Sequence, residues 1–125
     1  MSAQLSFLVN AAGAAAAGGR WQEAERLWGQ VQALDPGNVQ ALFSLGVHAF
    51  QRGELQAALE FLGQARARAP RDPMLLLTIG RVHREDGRPE QEWQAIIAAL
   101  EIDPYFLPAL LGRGEFLERQ GQARN

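Results

Sequence analysis

The chain contains no cysteine. That excludes disulfides, thiolate metal ligands and a cysteine nucleophile, and it leaves the redox compartment open. Lysine is also absent, and all twelve basic residues are arginine. Beside so many alanines, glycines and prolines, this reads as the coding bias of a GC-rich genome. The net charge is −2 and the pI about 5.7. The chain therefore lacks the basic surplus that grips a phosphate backbone, and no nucleic acid partner is expected. No stretch approaches the ~20 apolar residues of a membrane span, so no membrane partner is expected either. The apolar opening MSAQLSFLVNAAGAAAAGG lacks a positive leader, and Asn10 and Gly13 interrupt it. It is not read as a signal peptide, and a cytoplasmic location is expected. Serine is scarce, and neither a G-x-S-x-G nor an H-E-x-x-H pattern occurs. The two histidines, His48 and His83, have no converging ligands and read as packed or surface residues. No catalysis, metal or cofactor is expected of this chain.

What is present is a period. At 125 residues, 47% of them hydrophobic, the chain is one small domain or a short repeat array. Pro36, Pro70 and Pro104 lie 34 residues apart. So do Gly19, Gly53, Gly87 and Gly121, and so do Leu8, Leu42, Leu76 and Leu110. A small-residue column, Ala12, Gly46, Gly80 and Gly114, shares the same spacing. Between the columns the apolar spacing is helical: Leu55, Ala58, Leu59 and Leu62 fall at i, i+3, i+4 and i+7. Asn38 is a plausible N-cap. Gly53 sits where a first helix must stop and turn, and Pro70 stops the second. Pro73, Pro89 and Pro108 fall in first turns, where a missing N–H costs little. Each unit therefore reads as helix, tight turn, helix, short turn.

Period, helix pair and column identities resemble the tetratricopeptide repeat family over nearly the whole chain. Repeats run about 5–38, 39–72 and 73–106, and a half repeat occupies 107–125. Ala24 and Ala58 fill the family's second small position. Trp28, Leu62 and Ile96 fill its large apolar position, followed by Val31, Ala65 and Ala99. The resemblance implies an all-α, right-handed α-solenoid of about three and a half helix-turn-helix repeats, seven helices in all. One repeat alone cannot bury its apolar faces, so repeats stack, with first helices lining a concave groove.

On that scaffold the expected groove residues are Asn10 in repeat one and Phe43, Ser44, Val47 and Phe50 in repeat two. Leu77, Thr78, Arg81 and Arg84 follow in repeat three, with Leu111, Gly112 and Glu115 in the half repeat. An apolar wall bearing two arginines suits a protein or peptide ligand with apolar anchors and an acidic group. Phe43 and Leu77 have a plainer reading, as filler between neighbouring helices. Chaperone-binding members of the family hold a terminal carboxylate with Lys or Arg and Asn. The corresponding positions here are Val9, Gly13, Ser44, Met74 and Thr78, so that clamp is not expected. The resemblance thus implies a non-catalytic interaction scaffold.

Glu92 departs from the family's small-residue position. Either it pairs with His83 and Arg84 on the facing helix, or it bends outward and leaves Trp93 to pack. The outward bend is expected, because an isolated buried charge is costly. A second resemblance lies in GRPEQEWQAIIAALEIDP and DPYFLPALL…LERQG. These are similar to the repeat region preceding aspartyl/asparaginyl β-hydroxylase-like domains of some bacterial proteins. That resemblance implies an accessory, substrate-positioning region of a larger enzyme, with no catalytic residue carried by this chain. Finally, LLGRGEFLERQGQARN matches a first helix, with Gly121 in the turn column and QARN opening a second helix. Leu110 and Leu117 would then lack the partner that earlier repeats supply. The chain is accordingly expected to be part of a longer protein, with this open C-terminal face covered by another molecule or used in self-association.

Overall fold

The computed structural model describes residues 2–124. Among these, all regular structure is helical, in the order α1 (Ala3–Ala17), α2 (Trp21–Leu34), α3 (Val39–Gln51), α4 (Leu55–Arg68), α5 (Pro73–Glu85), α6 (Pro89–Ile102) and α7 (Leu107–Arg124). The chain divides into two compact units, Met1–Ala69 and Pro70–Asn125. The first holds α1–α4 and the second α5–α7.

Three hairpins share one turn chemistry. Gly19, Gly53 and Gly87 adopt φ of 75°, 77° and 71°, a left-handed backbone that side chains disfavour. At the first turn Arg20 N–H donates to Ala15 O at 2.8 Å and Gly19 N–H to Ala16 O at 3.1 Å. Glu54 and Gly53 repeat this pair on Ala49 and Phe50, and Arg88 and Gly87 repeat it on His83 and Arg84. These paired bonds satisfy the last carbonyls of the first helix and reverse the chain directly into the second. First helices need a separate start. Ser2, Asn38 and Asp72 supply it by accepting from Leu5, Ala41 and Leu75 N–H at 3.1, 3.0 and 3.3 Å. Second helices, entered straight from the turn, have no side-chain cap.

The 34-residue glycine column fails once. Gly121 lies inside α7, which continues to Arg124, so no turn forms there and QAR extends the first helix rather than opening a second. Asn125 lies outside the described residues. At the other three turns the chain reverses because a following helix docks an apolar face back. Helical glycine costs only ~1 kcal/mol relative to alanine, so Gly121 alone does not end α7.

In the first unit, Leu8, Ala12, Ala24, Leu27, Trp28 and Val31 bury between α1 and α2, with Ala41 and Leu45 of α3 completing the cluster. Gly46 permits a close approach of α3 to α4. A methyl group there would lie 2.8 Å from Leu62 Cγ and 3.3 Å from Phe61 Cβ. In the second unit, Leu76 and Leu77 of α5, Ile96, Ala99 and Leu100 of α6, and Ala109 and Phe116 of α7 form one cluster. Gly80 plays the part of Gly46, with a methyl group there falling 3.0 Å from Ala95 Cβ.

Candidate functional site

The second unit contains a cavity of about 330 Å³ between α5, α6 and α7. That volume lies near the lower end, about 300 Å³, of small-ligand pockets. Leu77 and Ile96 form its floor, both almost fully buried. Leu107, Pro108 and Leu111 at the start of α7 form one wall. Leu107 and Leu111 remain 62% and 58% exposed, so the apolar wall is open to an incoming group. Gly112 keeps the back of α7 thin: a methyl group there would only just touch Leu77 and Ile96, at 3.6 and 3.9 Å.

Two arginines and two glutamates frame this apolar floor. Arg84 lies 3.6 Å from Glu115 across the opening, and both are well exposed. Such a pair contributes little stability and can exchange partners. Arg81 lines the same cavity, is exposed, and makes no salt bridge among the described residues. Glu92 is neutralised elsewhere. Its carboxylate accepts from Arg119 on α7 at 3.2 and 2.6 Å, and the residue is only 5% exposed. The mouth of the cavity therefore offers one unengaged guanidinium and one held loosely, beside apolar surface.

Glu92 thus follows neither sequence expectation. It does not bend outward, and its partner is not His83 or Arg84. Arg119, 27 residues further on, reaches it from the next helix, and Phe116 lies beneath that guanidinium at 5.6 Å. Trp93 does pack, half-buried, against Phe116 with ring centroids 5.0 Å apart. Nothing in the sequence around Glu92 signals a partner at that distance.

Of the twelve groove residues read from the sequence, Leu77, Arg81, Arg84, Leu111, Gly112 and Glu115 come together at this cavity. Thr78 does not. It is buried and its hydroxyl donates to Met74 O at 2.8 Å, which leaves no donor for a ligand. In the first unit, Phe43, Val47 and Phe50 share one half-buried face of α3 with Ser44 beside it, and Asn10 is exposed on α1. Sequence reasoning missed Ile96, Leu107 and Pro108 as lining residues. The first sits on a second helix and the others at the very start of α7, so the first-helix groove pattern does not reach them.

His48 is buried, its ring edge-on to Trp21 at 5.7 Å. His83 is partly buried, and burial pushes its pKa below the usual histidine value; Arg88 adds to this and Asp86 opposes it. Among the described residues no three potential ligands converge as a metal site. No described helix is long and apolar enough to cross a membrane.

Comparison with known proteins adds the following. A family profile described as tetratricopeptide repeat matches residues 9–73. No curated protein matches the sequence. Among solved structures, a Thermobaculum terrenum O-GlcNAc transferase superposes with a TM-score of 0.80 at 27% identity, over 86% of this chain. The chain spans only 21% of that enzyme's length. MamA from Desulfovibrio magneticus RS-1 gives 0.83 at 23% identity, covering 94% of this chain and 66% of that one. The Yersinia enterocolitica type III secretion chaperone SycD, solved with a peptide of the translocator YopD, gives 0.85 at 16% identity, covering 100% and 98%. The last two likenesses establish fold alone.

Proposed function

The chain belongs to the tetratricopeptide repeat family, and on that premise we propose that it is a non-catalytic scaffold whose α5–α7 cavity holds a protein segment by an apolar side chain and a neighbouring carboxylate. The observation that carries this is Arg81, exposed and without an ion pair at the rim of an apolar cavity. A ligand side chain covers Leu77, Ile96, Leu107 and Leu111. Its carboxylate then accepts two parallel hydrogen bonds from Arg81, a geometry that lysine cannot offer. SycD, which shares the fold, was solved holding a peptide, and that supports peptide capture as the mode.

The test is a peptide array probed with the 125-residue chain and with Arg81→Ala and Leu111→Ala. Both residues are exposed, so neither change threatens the fold. Selection of peptides joining a large apolar residue to an acidic one, lost in both variants, is the expected result. Binding that survives both changes rejects the cavity.

A second reading, an accessory region of a larger enzyme, is favoured by the likeness to about a fifth of the Thermobaculum terrenum enzyme. No comparable observation favours the β-hydroxylase setting. Sequencing the gene beyond codon 125 decides it. An open reading frame entering a catalytic domain supports this reading, and an immediate stop removes it.

A further inference from the structure

The α5–α7 cavity is a trough with two chemically different ends. α5 lines it from Leu77 to Arg84, and α7 lines it from Leu107 to Glu115. At a helical rise of ~1.5 Å per residue, these spans are roughly 10 and 12 Å. The two helices run in the same direction. Leu77 stands 3.6 Å from where a methyl group on Gly112 would lie, and Arg84 lies 3.6 Å from Glu115 further along both. A volume of about 330 Å³ spread over this length leaves a cross-section of roughly 30 Å². A helix ~10 Å in diameter would need roughly 80 Å². The inward half of an extended segment, ~4.8 Å wide and ~5 Å deep, needs roughly 25 Å².

The distance between the two ends sets a spacing. Leu77 and Leu111 mark the apolar end, above Ile96. Arg81 stands four residues beyond Leu77, about 6 Å along the axis. Both side chains lean toward the helix N-terminus, so this separation carries over to their tips. An extended chain advances ~3.3 Å per residue and returns its side chains to one face at every second residue. An apolar residue seated on Leu77 therefore presents the side chain two positions away, ~6.6 Å along, to Arg81. The adjacent side chain points out of the trough, and the fourth one overshoots Arg81 by ~7 Å. Arg84 stands ~10 Å from Leu77, level with a third residue whose side chain points outward, and Glu115 already holds it. Charge agrees with this. Glu92 is paired with Arg119 and Glu115 with Arg84, which leaves Arg81 as the positive charge that a ligand acid balances.

Resting on the cavity reading above, we propose that the occupant is an extended protein segment whose apolar residue and acidic residue stand two positions apart. Leu77, Ile96 and Leu111 take the apolar side chain, and Arg81 takes the acid and sets the spacing.

A displayed peptide library tests this. Leucine is fixed at the centre, and four residues on each side are randomised. Panned against the 125-residue chain, the library should enrich Asp or Glu about tenfold at one of the two positions two residues from the leucine, as a charge-assisted hydrogen bond warrants. Which of the two positions it is gives the direction of the bound segment. Against Arg81→Ala the enrichment should vanish. Against Arg81→Lys it should stay at the same position but weaken, since lysine offers no paired bonds. Arg81 is exposed, so neither change threatens the fold. Acid enriched one residue from the leucine, or evenly at all positions, overturns the spacing while the cavity reading stands. Acid enriched four residues away does the same and marks a helical ligand. Enrichment that survives Arg81→Ala, or no acid enrichment at all, also overturns the proposal. If binding on the array is in addition indifferent to both Arg81→Ala and Leu111→Ala, the cavity reading falls with it.

Discussion

The Arg119 guanidinium on α7 donates to both carboxylate oxygens of Glu92 on α6, at 3.2 and 2.6 Å. Glu92 is 6% exposed at its side chain and Arg119 33%, so the two partners pay unequally for separation. Removing the arginine leaves a carboxylate buried without compensation, which costs about 3 kcal/mol. Removing the carboxylate leaves a guanidinium that can turn to water. Alanine there is also what the first two repeats carry, at Ala24 and Ala58. Arg119→Met is therefore expected to destabilise the second unit by about 3 kcal/mol, and Glu92→Ala by less than half as much. Urea unfolding, with hydrogen exchange on α7 as the local readout, measures both. Equal costs would contradict this assignment.

The glycines at matched repeat positions should respond with opposite signs. A methyl group at Gly46 collides with Leu62, so Gly46→Ala should destabilise, since overpacking costs ~1–3 kcal/mol and outweighs the helix-propensity gain. Gly114→Ala meets nothing and should stabilise α7 by up to ~1 kcal/mol. Thermal unfolding of the two variants against the wild type checks the pair.

His83 gives the pH dependence a direction. Its folded pKa is lowered, chiefly by burial, then by Arg88, with Asp86 opposing. The unfolded chain therefore binds the proton more readily. The stability linked to this residue is present above the ordinary value of 6.5 and is lost as pH falls through it toward the folded value. The melting temperature should drop between pH 7.5 and 5.5, and His83→Gln should flatten that drop. An NMR titration placing His83 at or above 6.5 would contradict the expectation.

The periodic parts of this molecule were legible in the sequence and the tertiary exceptions were not. Gly19, Gly53 and Gly87 mark their turns because only a residue free of Cβ strain reverses the chain so tightly. Asn38 caps its helix, and Pro73, Pro89 and Pro108 sit in first turns as their chemistry demands. Gly121 carries the same signal and forms no turn, because a glycine alone costs a helix only ~1 kcal/mol and does not end it. Glu92 was visible as an exception, but its partner was not, since no local spacing points to Arg119. The candidate site was half legible. Leu77, Arg81, Arg84, Leu111, Gly112 and Glu115 follow from first-helix periodicity, whereas Ile96 and Leu107 reach the cavity only through the packing of α6 and α7. Thr78 shares the periodicity yet spends its hydroxyl on Met74.

Glu115 lies 3.6 Å from Arg84, and in the proposed binding mode it competes with a ligand carboxylate for that guanidinium. Glu115→Gln should therefore tighten binding of acidic array peptides by a few fold, consistent with exposed pairs worth up to ~1 kcal/mol. It should leave neutral peptides unaffected, and fluorescence anisotropy with one peptide of each kind distinguishes the two.

The central claim is that the α5–α7 cavity is where a protein segment binds. The most direct measurement is an amide chemical-shift map of the ¹⁵N-labelled chain, titrated with the strongest array peptide. The expected result is a set of saturable shifts centred on Leu77, Arg81, Arg84, Leu111 and Gly112, abolished when the peptide's acidic residue is replaced by its amide. Shifts confined to other surfaces, with these five residues unmoved at saturation, would contradict the claim.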